Sequence, residues 1–289
     1  MSGEVVIGTR GSALARAQSE WVGRQLEAAV EGLTWRLEII RTRGDAIQNK
    51  PLAAIGGKGL FTEELEAALR GGDIDLAVHS LKDLPTDMPA DLLVGSIPRR
   101  ADPADVLVGS TLAALPKGAK VGTGSARRKA LLLDLRPDLV VKGIRGNVDT
   151  RLAKLAEGQY DAIILAAAGL ERLGLDVGGD PLPLESFIPA PGQGALGIQC
   201  RRQDGRTQEA LSAIDHAMTR LCCKAERSFL AALGGGCSVP AGALATIRRG
   251  ELTLNAAFAV KGAVRRVTVK GGAESSGELG REAAEALRA

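Results

Sequence analysis

The sequence predicts an α/β protein in two domains with a small α+β domain at its C-terminal end. Three observations lead there. Short apolar runs alternate with stretches of helical period as far as residue 233, the pattern of βα units. Two Pro- and Gly-rich segments, residues 96–103 and 189–194, enclose one such series. Beyond residue 240 the apolar runs follow one another without a helix between them, as in an antiparallel sheet. The expected layout is a first domain from residues 1–97 and 192–216, a second from 98–191 and a third from 217–289. A double crossover of this kind permits hinge closure over a ligand.

Residues 5–8 form the first apolar run, and Ser12 is a suitable N-cap for an Ala-rich helix reaching about Ala29. Leu14, Ala17 and Trp21 share one face of that helix at helical spacing. Arg10 lies beside its start, which reads either as an anion site or as a solvated loop charge. Residues 36–41 alternate apolar and charged and read as a second strand. Gly56-Gly57-Lys58-Gly59 is no phosphate loop, because Leu52 stands where a Gly is needed and Gly59 where Ser or Thr is needed. Its glycines suit a flexible segment over a cleft. Thr62 then caps a helix with Glu63 and Glu64 in its first turn, ending at Gly71-Gly72.

The stretch D-I-D-L-A-V-H-S-L-K-D-L-P, residues 73–85, holds the chemistry of the first domain. Leu76, Ala77 and Val78 make a short buried strand, and His79, Ser80, Lys82 and Asp83 follow before Pro85 and Pro89 stop any regular element. Ionisable residues after a strand sit where ligand crevices open in α/β sheets. Asp83 could act as a general acid or as counter-ion to a cationic intermediate. The plain alternative is a capping Asp on a surface turn.

After a strand at 91–96 the second series begins at 106–109. Residues 120–128, K-V-G-T-G-S-A-R-R, give a strand, a turn and a helix start capped by Ser125. G-x-G with Arg127 in place of the third Gly is a poor dinucleotide fingerprint, so no nucleotide cofactor is expected. Arg127 and Arg128 oppose the helix macrodipole by about 0.3–1 kcal/mol, which makes sense if an anion binds there. The pattern recurs. A strand at 140–144 precedes Arg145 and Arg151 around a helix capped by Asn147, and a strand at 162–166 precedes Arg172. Each arginine alone reads as a surface charge. Repeated after successive strands, they read as a polyanion-binding cleft, for which the guanidinium fork is well suited.

A strand at 195–199 returns to the first domain, and a helix at 217–233 carries Cys222 and Cys223. Cys237 stands apart, presented on the loop Gly234-Gly235-Gly236, where a covalent role is sterically open. Cys200, Cys222 and Cys223 read as small core residues. Strand-like runs at 241–247, 252–260 and 264–270 and a terminal helix complete the chain.

Composition removes several classes of function. Aromatic residues are only 2% of 289, too few for the stacking platforms of single-stranded nucleic-acid binding. Thirty-seven basic against 34 acidic residues leave a net charge of +3, so no global field points to nucleic acid or a membrane surface. With two histidines and no C-x-x-C spacing, no metal is expected. No signal-peptide core and no transmembrane run are seen, so the expected location is the cytoplasm.

Eight segments in order from Ile7 to about Ala243 resemble the porphobilinogen deaminase (hydroxymethylbilane synthase) family of tetrapyrrole biosynthesis. They are I-G-T-R-G-S-A-L-A, G-G-K-G-L-F, V-H-S-L-K-D-L-P, V-G-T-G-S-A-R-R, I-R-G-N-V-D-T-R-L, L-A-A-A-G-L-E-R-L, P-A-P-G-Q-G-A-L and G-G-G-C-S-V-P. The last 45 or so residues match in character only. The resemblance implies two type II periplasmic-binding-protein-like α/β domains and a C-terminal α+β domain with a three-stranded antiparallel sheet. It implies a monomeric transferase that condenses four porphobilinogen molecules head to tail with loss of ammonia, then hydrolyses off hydroxymethylbilane. It places a dipyrromethane cofactor in thioether linkage on Cys237. Asp83 takes the family's acid position, assisting deamination and stabilising the cationic azafulvene. Arg10, Ser12 and Lys82 fall on positions that bind cofactor or substrate, as do Thr123, Ser125, Arg127 and Arg128. So do Arg145, Arg151, Arg172 and Gln193. Lys58 falls in the family's mobile loop. Ala54 departs from members that carry a lysine there, which leaves that position without an implied role.

A solute-binding module for an organic anion is the reading from another class. It explains the hinge and the arginines but leaves Cys237 and the third domain without purpose. A redox-cysteine reading lacks a resolving partner for Cys237.

Overall fold

The structure, a computed structural model, describes residues 3–42, 62–236 and 239–288. The chain divides into two compact units, Met1–Arg100 with Ala195–Arg220, and Ala101–Gly194 with Leu221–Ala289.

The first unit opens with β1 (Gly3–Thr9), α1 (Ala13–Ala29) and β2 (Leu33–Ile39), then α2 (Glu63–Gly71), β3 (Leu76–Ser80) and β4 (Leu92–Ser96). β1 lies between β2 and β3 and is parallel to both. Ser12 caps α1 as expected, its Oγ accepting the amide of Ala15 at 3.3 Å. The buried stripe of α1 runs through Gln18, Ser19, Val22, Gly23 and Leu26. The Leu14, Ala17 and Trp21 face flanks it and is only partly buried, because the helix is rotated to place small and polar residues on the sheet. Thr62 precedes α2 without a side-chain capping bond, and the acidic first turn, Glu63, Glu64 and Glu66, meets the helix dipole instead.

The second unit begins with β5 (Asp105–Val108), β6 (Lys120–Gly122), α3 (Ala126–Leu135), β7 (Val140–Lys142) and α4 (Val148–Ala156). It continues with β8 (Ala162–Ala166), α5 (Ala167–Arg172) and β9 (Gly179–Pro181). Its sheet runs β7-β6-β8-β5-β9, with β5 antiparallel to both neighbours and β6 parallel to both of its own. Ser125 caps α3 by accepting the amide of Arg128 at 3.3 Å, whereas Asn147 makes no capping bond to α4. Leu107, Val121, Leu131, Leu132, Ile164 and Phe187 fill the core.

On its return the chain forms β10 (Leu196–Arg201) and α6 (Gly205–Ser212). β10 inserts between β3 and β4, antiparallel to each, and completes the order β2-β1-β3-β10-β4. Each five-stranded sheet thus has the same plan. Its antiparallel member is the strand laid down directly after the chain crosses from the other unit. The segments following β1, β3, β6 and β8 consequently gather at one edge of their sheets, where the sequence places its ionisable residues.

α7 (Ala217–Ala232) spans the boundary between the units, and β11 (Ala241–Arg248), β12 (Glu251–Val260), β13 (Ala263–Gly272) and α8 (Ser276–Arg288) follow. β11, β12 and β13 form the three-stranded antiparallel sheet expected from the consecutive apolar runs. Phe229, Leu254, Val269, Leu279 and Ala283 pack between that sheet and its two helices. The protein is α/β with a C-terminal α+β portion, as the hydrophobic patterning indicated.

Candidate active site

In the first unit the site is built at the end of β3. Along that strand Ala77 and His79 face one side of the sheet, Val78 and Ser80 the other. A single 3-10 turn, Leu81–Asp83, follows. Leu81 and Leu84 are buried and pin both ends of the turn, and the Leu81 amide donates to Ala195 O at 3.0 Å. Lys82 is thereby left half-buried and Asp83 exposed. Asp83 shares a small polar pocket with Arg10, Ser12, Gln18, His79 and Ser80. Ser80 Oγ is held by Gln18, at 3.0 Å from Nε2 and 3.3 Å from Oε1. Arg10 and Ser12 come from the turn between β1 and the capped start of α1, so the segments after β1 and β3 converge on one pocket.

His79 is buried, and its Nε2 lies 3.1 Å from Gln199 Oε1. Burial pushes its pKa down to about 4, with a smaller contribution from the Arg10 charge, while the bond to Gln199 opposes the shift. It is a neutral ring in the pocket wall at physiological pH. The sequence had marked His79 only by position. Gln18 gave no signal beyond being a polar residue on the inner face of a helix.

In the second unit Arg127 and Arg128 are both buried, at 4% and 7% exposure. The anion that faces them is Asp105, fully buried at the start of β5. Arg127 Nη2 is 2.8 Å from Asp105 Oδ2, and Arg128 places Nη2 at 2.6 Å and Nε at 2.9 Å from Oδ1. Arg128 Nη1 donates to Ile164 O at 2.7 Å, and Arg127 Nη1 to Ile188 O at 2.8 Å. Burial lowers the pKa of Arg127, against the opposing charge of Asp105. Gln193 Nε2 donates to Asp105 Oδ1 at 2.9 Å and to Pro103 O at 2.8 Å. Asp105 escaped the sequence reading because a carboxylate ahead of an apolar run looks like a linker residue.

Thr123 is buried, and its Oγ1 accepts the Ser125 amide at 3.2 Å. Arg151 Nε donates to Gly146 O at 2.8 Å across the turn that begins with Arg145. Arg172 Nη2 donates to Gly194 O at 2.7 Å, and burial lowers its pKa to about 10, partly offset by Glu171. Two guanidinium nitrogens, Arg127 Nε and Arg145 Nη1, are buried without a hydrogen-bond partner among the described residues. Such donors cost about 1–3 kcal/mol each when left unmet, and a ligand rich in carboxylates satisfies them. The donor set fits a pyrrole cofactor bearing acetate and propionate groups.

Lys58 and Cys237 lie outside the described residues. Cys200, Cys222 and Cys223 are buried thiols, and burial pushes Cys200 up to about 11. Among the described residues no group of His, Cys, Asp and Glu is placed to hold a metal ion, and no helix is long and apolar enough to cross a membrane.

Residues 5–209 match the family model "Porphobilinogen deaminase, dipyromethane cofactor binding domain", and residues 220–289 match "Porphobilinogen deaminase, C-terminal domain". A porphobilinogen deaminase of Roseiflexus sp. is 54% identical over 88% of this chain and 85% of its own. That of Roseiflexus castenholzii is 50% identical over 99% of this chain and 96% of its own. That of Moorella thermoacetica is 52% identical over 87% and 82%. Among solved structures the methionine-binding protein MetQ aligns with a TM-score of 0.46 at 14% identity, over 73% of this chain and 89% of that chain. The chain belongs to the porphobilinogen deaminase family.

Proposed function

We propose that this protein is a hydroxymethylbilane synthase, which joins four porphobilinogen molecules head to tail, releases ammonia at each step and hydrolyses off the linear product. The observation that carries the reading is Asp83, exposed on a pinned turn in a pocket with Arg10 and Ser12. Porphobilinogen brings carboxylates for the guanidinium and a pyrrole N–H for the carboxylate of Asp83. As the C–N bond of its aminomethyl group breaks and ammonia leaves, positive charge develops on the pyrrole ring. Asp83 offsets that charge at the ring N–H, where a fixed anion lowers the barrier without reorganising. His79, neutral, adds no competing cation beside it.

The dipyrromethane, as a thioether on Cys237, supplies the pyrrole carbon to which the first substrate is joined. Thr123, Ser125, Arg127, Arg145, Arg151 and Arg172 are the residues assigned to its carboxylates and to those of the growing chain, and Arg10, Ser12 and Lys82 are assigned to carboxylates and polar groups of cofactor or substrate. Arg128 and Gln193 belong to the same set, and Lys58 to a covering segment. We assign residues 217–289 to a third domain whose role is to present Cys237. The working location is the cytoplasm and the working state a monomer, with no nucleic-acid or membrane partner.

The test is the intact mass of the purified chain under denaturing conditions, followed by an ammonia assay with porphobilinogen. An added mass of two substrate-derived pyrroles mapping to Cys237, with steady ammonia release, is the expected result. A chain that binds porphobilinogen but never releases ammonia is a binding module, and the reading fails.

A further inference from the structure

The buried cluster around Asp105 holds more than an ion pair. One carboxylate, fully buried, receives two guanidinium groups and one amide, from α3 and from the segment before β10. Each nitrogen of Arg128 has an acceptor inside the protein: Asp105 for Nε and Nη2, Ile164 O for Nη1. Arg127 differs. Its Nη2 meets Asp105 and its Nη1 meets Ile188 O, but Nε is buried with no hydrogen-bond partner. Two positive charges against one negative leave an excess of one beside that donor. Asp105 itself is hydrogen-bonded to Gln193, whose Nε2 also reaches Pro103 O and Ala104 O.

We propose that Asp105 is a positioning residue for carboxylate recognition, holding Arg127 in the orientation that meets a ligand carboxylate while Arg128 and Gln193 fix Asp105. This rests on the functional reading above. Arg128 and Gln193 then serve the site through Asp105, and Arg127 is the member of the pair that meets the ligand. A buried arginine with one anchored edge is pre-oriented, so less freedom is lost when the ligand arrives. Burial lowers the pKa of Arg127, the charge of Asp105 opposes that shift, and the neighbouring charge of Arg128 adds to it more weakly.

The experiment compares the full chain with Asp105→Asn, which keeps the shape and removes the charge, and Asp105→Glu, which keeps the charge and displaces it. Three quantities are read: the fraction of chains carrying the dipyrromethane by intact mass, KM against kcat of the loaded fraction, and the melting midpoint. The expected result for Asp105→Asn is a folded protein whose loading falls, or whose KM rises, by about tenfold with kcat per loaded chain little changed. That lies within the ~100-fold cost of misplacing a binding group by about 1 Å. Asp105→Glu should regain part of the loss. Loading and KM within twofold of wild type, with only the melting midpoint lowered, overturns the proposal and leaves Asp105 a structural partner. Failure of both variants to fold has the same meaning. A wild-type chain with bare mass and no ammonia release overturns the functional reading, and this inference with it.

Discussion

His79 Nε2 sits 3.1 Å from Gln199 Oε1, and Gln199 Nε2 in turn sits 3.1 Å from Glu66 Oε1. The register Ala77 opposite Gln199 puts all of these side chains on the face of the first sheet that α2 covers. The Glu66 carboxylate only accepts, so Gln199 must donate to it with its amide and offer its carbonyl to His79. His79 therefore donates from Nε2, and the ring is held neutral in one tautomer.

That relay sets a pH dependence of stability. The folded pKa of His79, about 4, lies below the ordinary value of 6.5. The unfolded chain takes up a proton first as pH falls, so the contribution is complete above pH 6.5 and is lost between 6.5 and 4. The full span corresponds to about 3 kcal/mol. Urea unfolding at pH 7 and pH 4.5 should show the stability gap between wild type and His79→Gln shrinking by most of that amount. A gap independent of pH would mean that the ring is not buried in its neutral form.

Asp83 is exposed and carries no part of the fold, so Asp83→Asn should leave the melting midpoint unchanged within the ~0.5 kcal/mol typical of surface changes. Its loss as a fixed anion at the reacting ring should lower kcat by about 100-fold or more. Steady-state ammonia release and a thermal melt on the same preparation check both halves. Normal turnover would remove Asp83 from the mechanism.

The elements were legible where apolar runs were continuous. The strand through Val78, the one through Val121 and the three consecutive strands after residue 240 all follow directly from patterning. β9, only Gly179–Pro181, was not legible, because G-D-P has the composition of a turn and pairs only as an edge strand. α6 was missed for a similar reason. It starts on Gly205 and is held by Asp204, whose Oδ1 accepts the Thr207 amide at 3.0 Å rather than by a long apolar stripe. The position of Asp83 at a strand end was readable, but the function of the arginines was readable only as a set. Asp105 carries no local mark, since its partners are brought to it by α3 and by the segment before β10. Pairing of that kind is decided by tertiary structure, not by spacing.

Cys237→Ser should give a chain of bare mass, since a hydroxyl at that position does not form the thioether. The other cysteines should not replace it. Cys200, Cys222 and Cys223 are buried, and the raised pKa of Cys200 keeps its thiolate scarce. Intact mass and peptide mapping of the variant read this directly. The usual adduct on any of those three would refute the assignment.

Gly194 marks the point where the segment before β10 meets the segment before β5. Its carbonyl accepts the Ala101 amide at 3.2 Å and Arg172 Nη2 at 2.7 Å. Its φ is +84°, and a Cβ there would stand 2.5 Å from Ala101 O, against backbone that has no rotamer to yield. Gly118 has nearly the same φ, +79°, but a Cβ there would meet nothing within 4 Å. Gly118→Ala should therefore lose only the left-handed backbone term, about 1 kcal/mol. Gly194→Ala should lose that and the cost of separating two strands of backbone, about 1–3 kcal/mol more. It should also loosen Arg172 by moving the carbonyl that holds it, so its KM for porphobilinogen should rise while that of Gly118→Ala does not. Denaturant midpoints and steady-state kinetics on the two variants give the comparison, and equal midpoints would show that the close approach at Ala101 carries no weight.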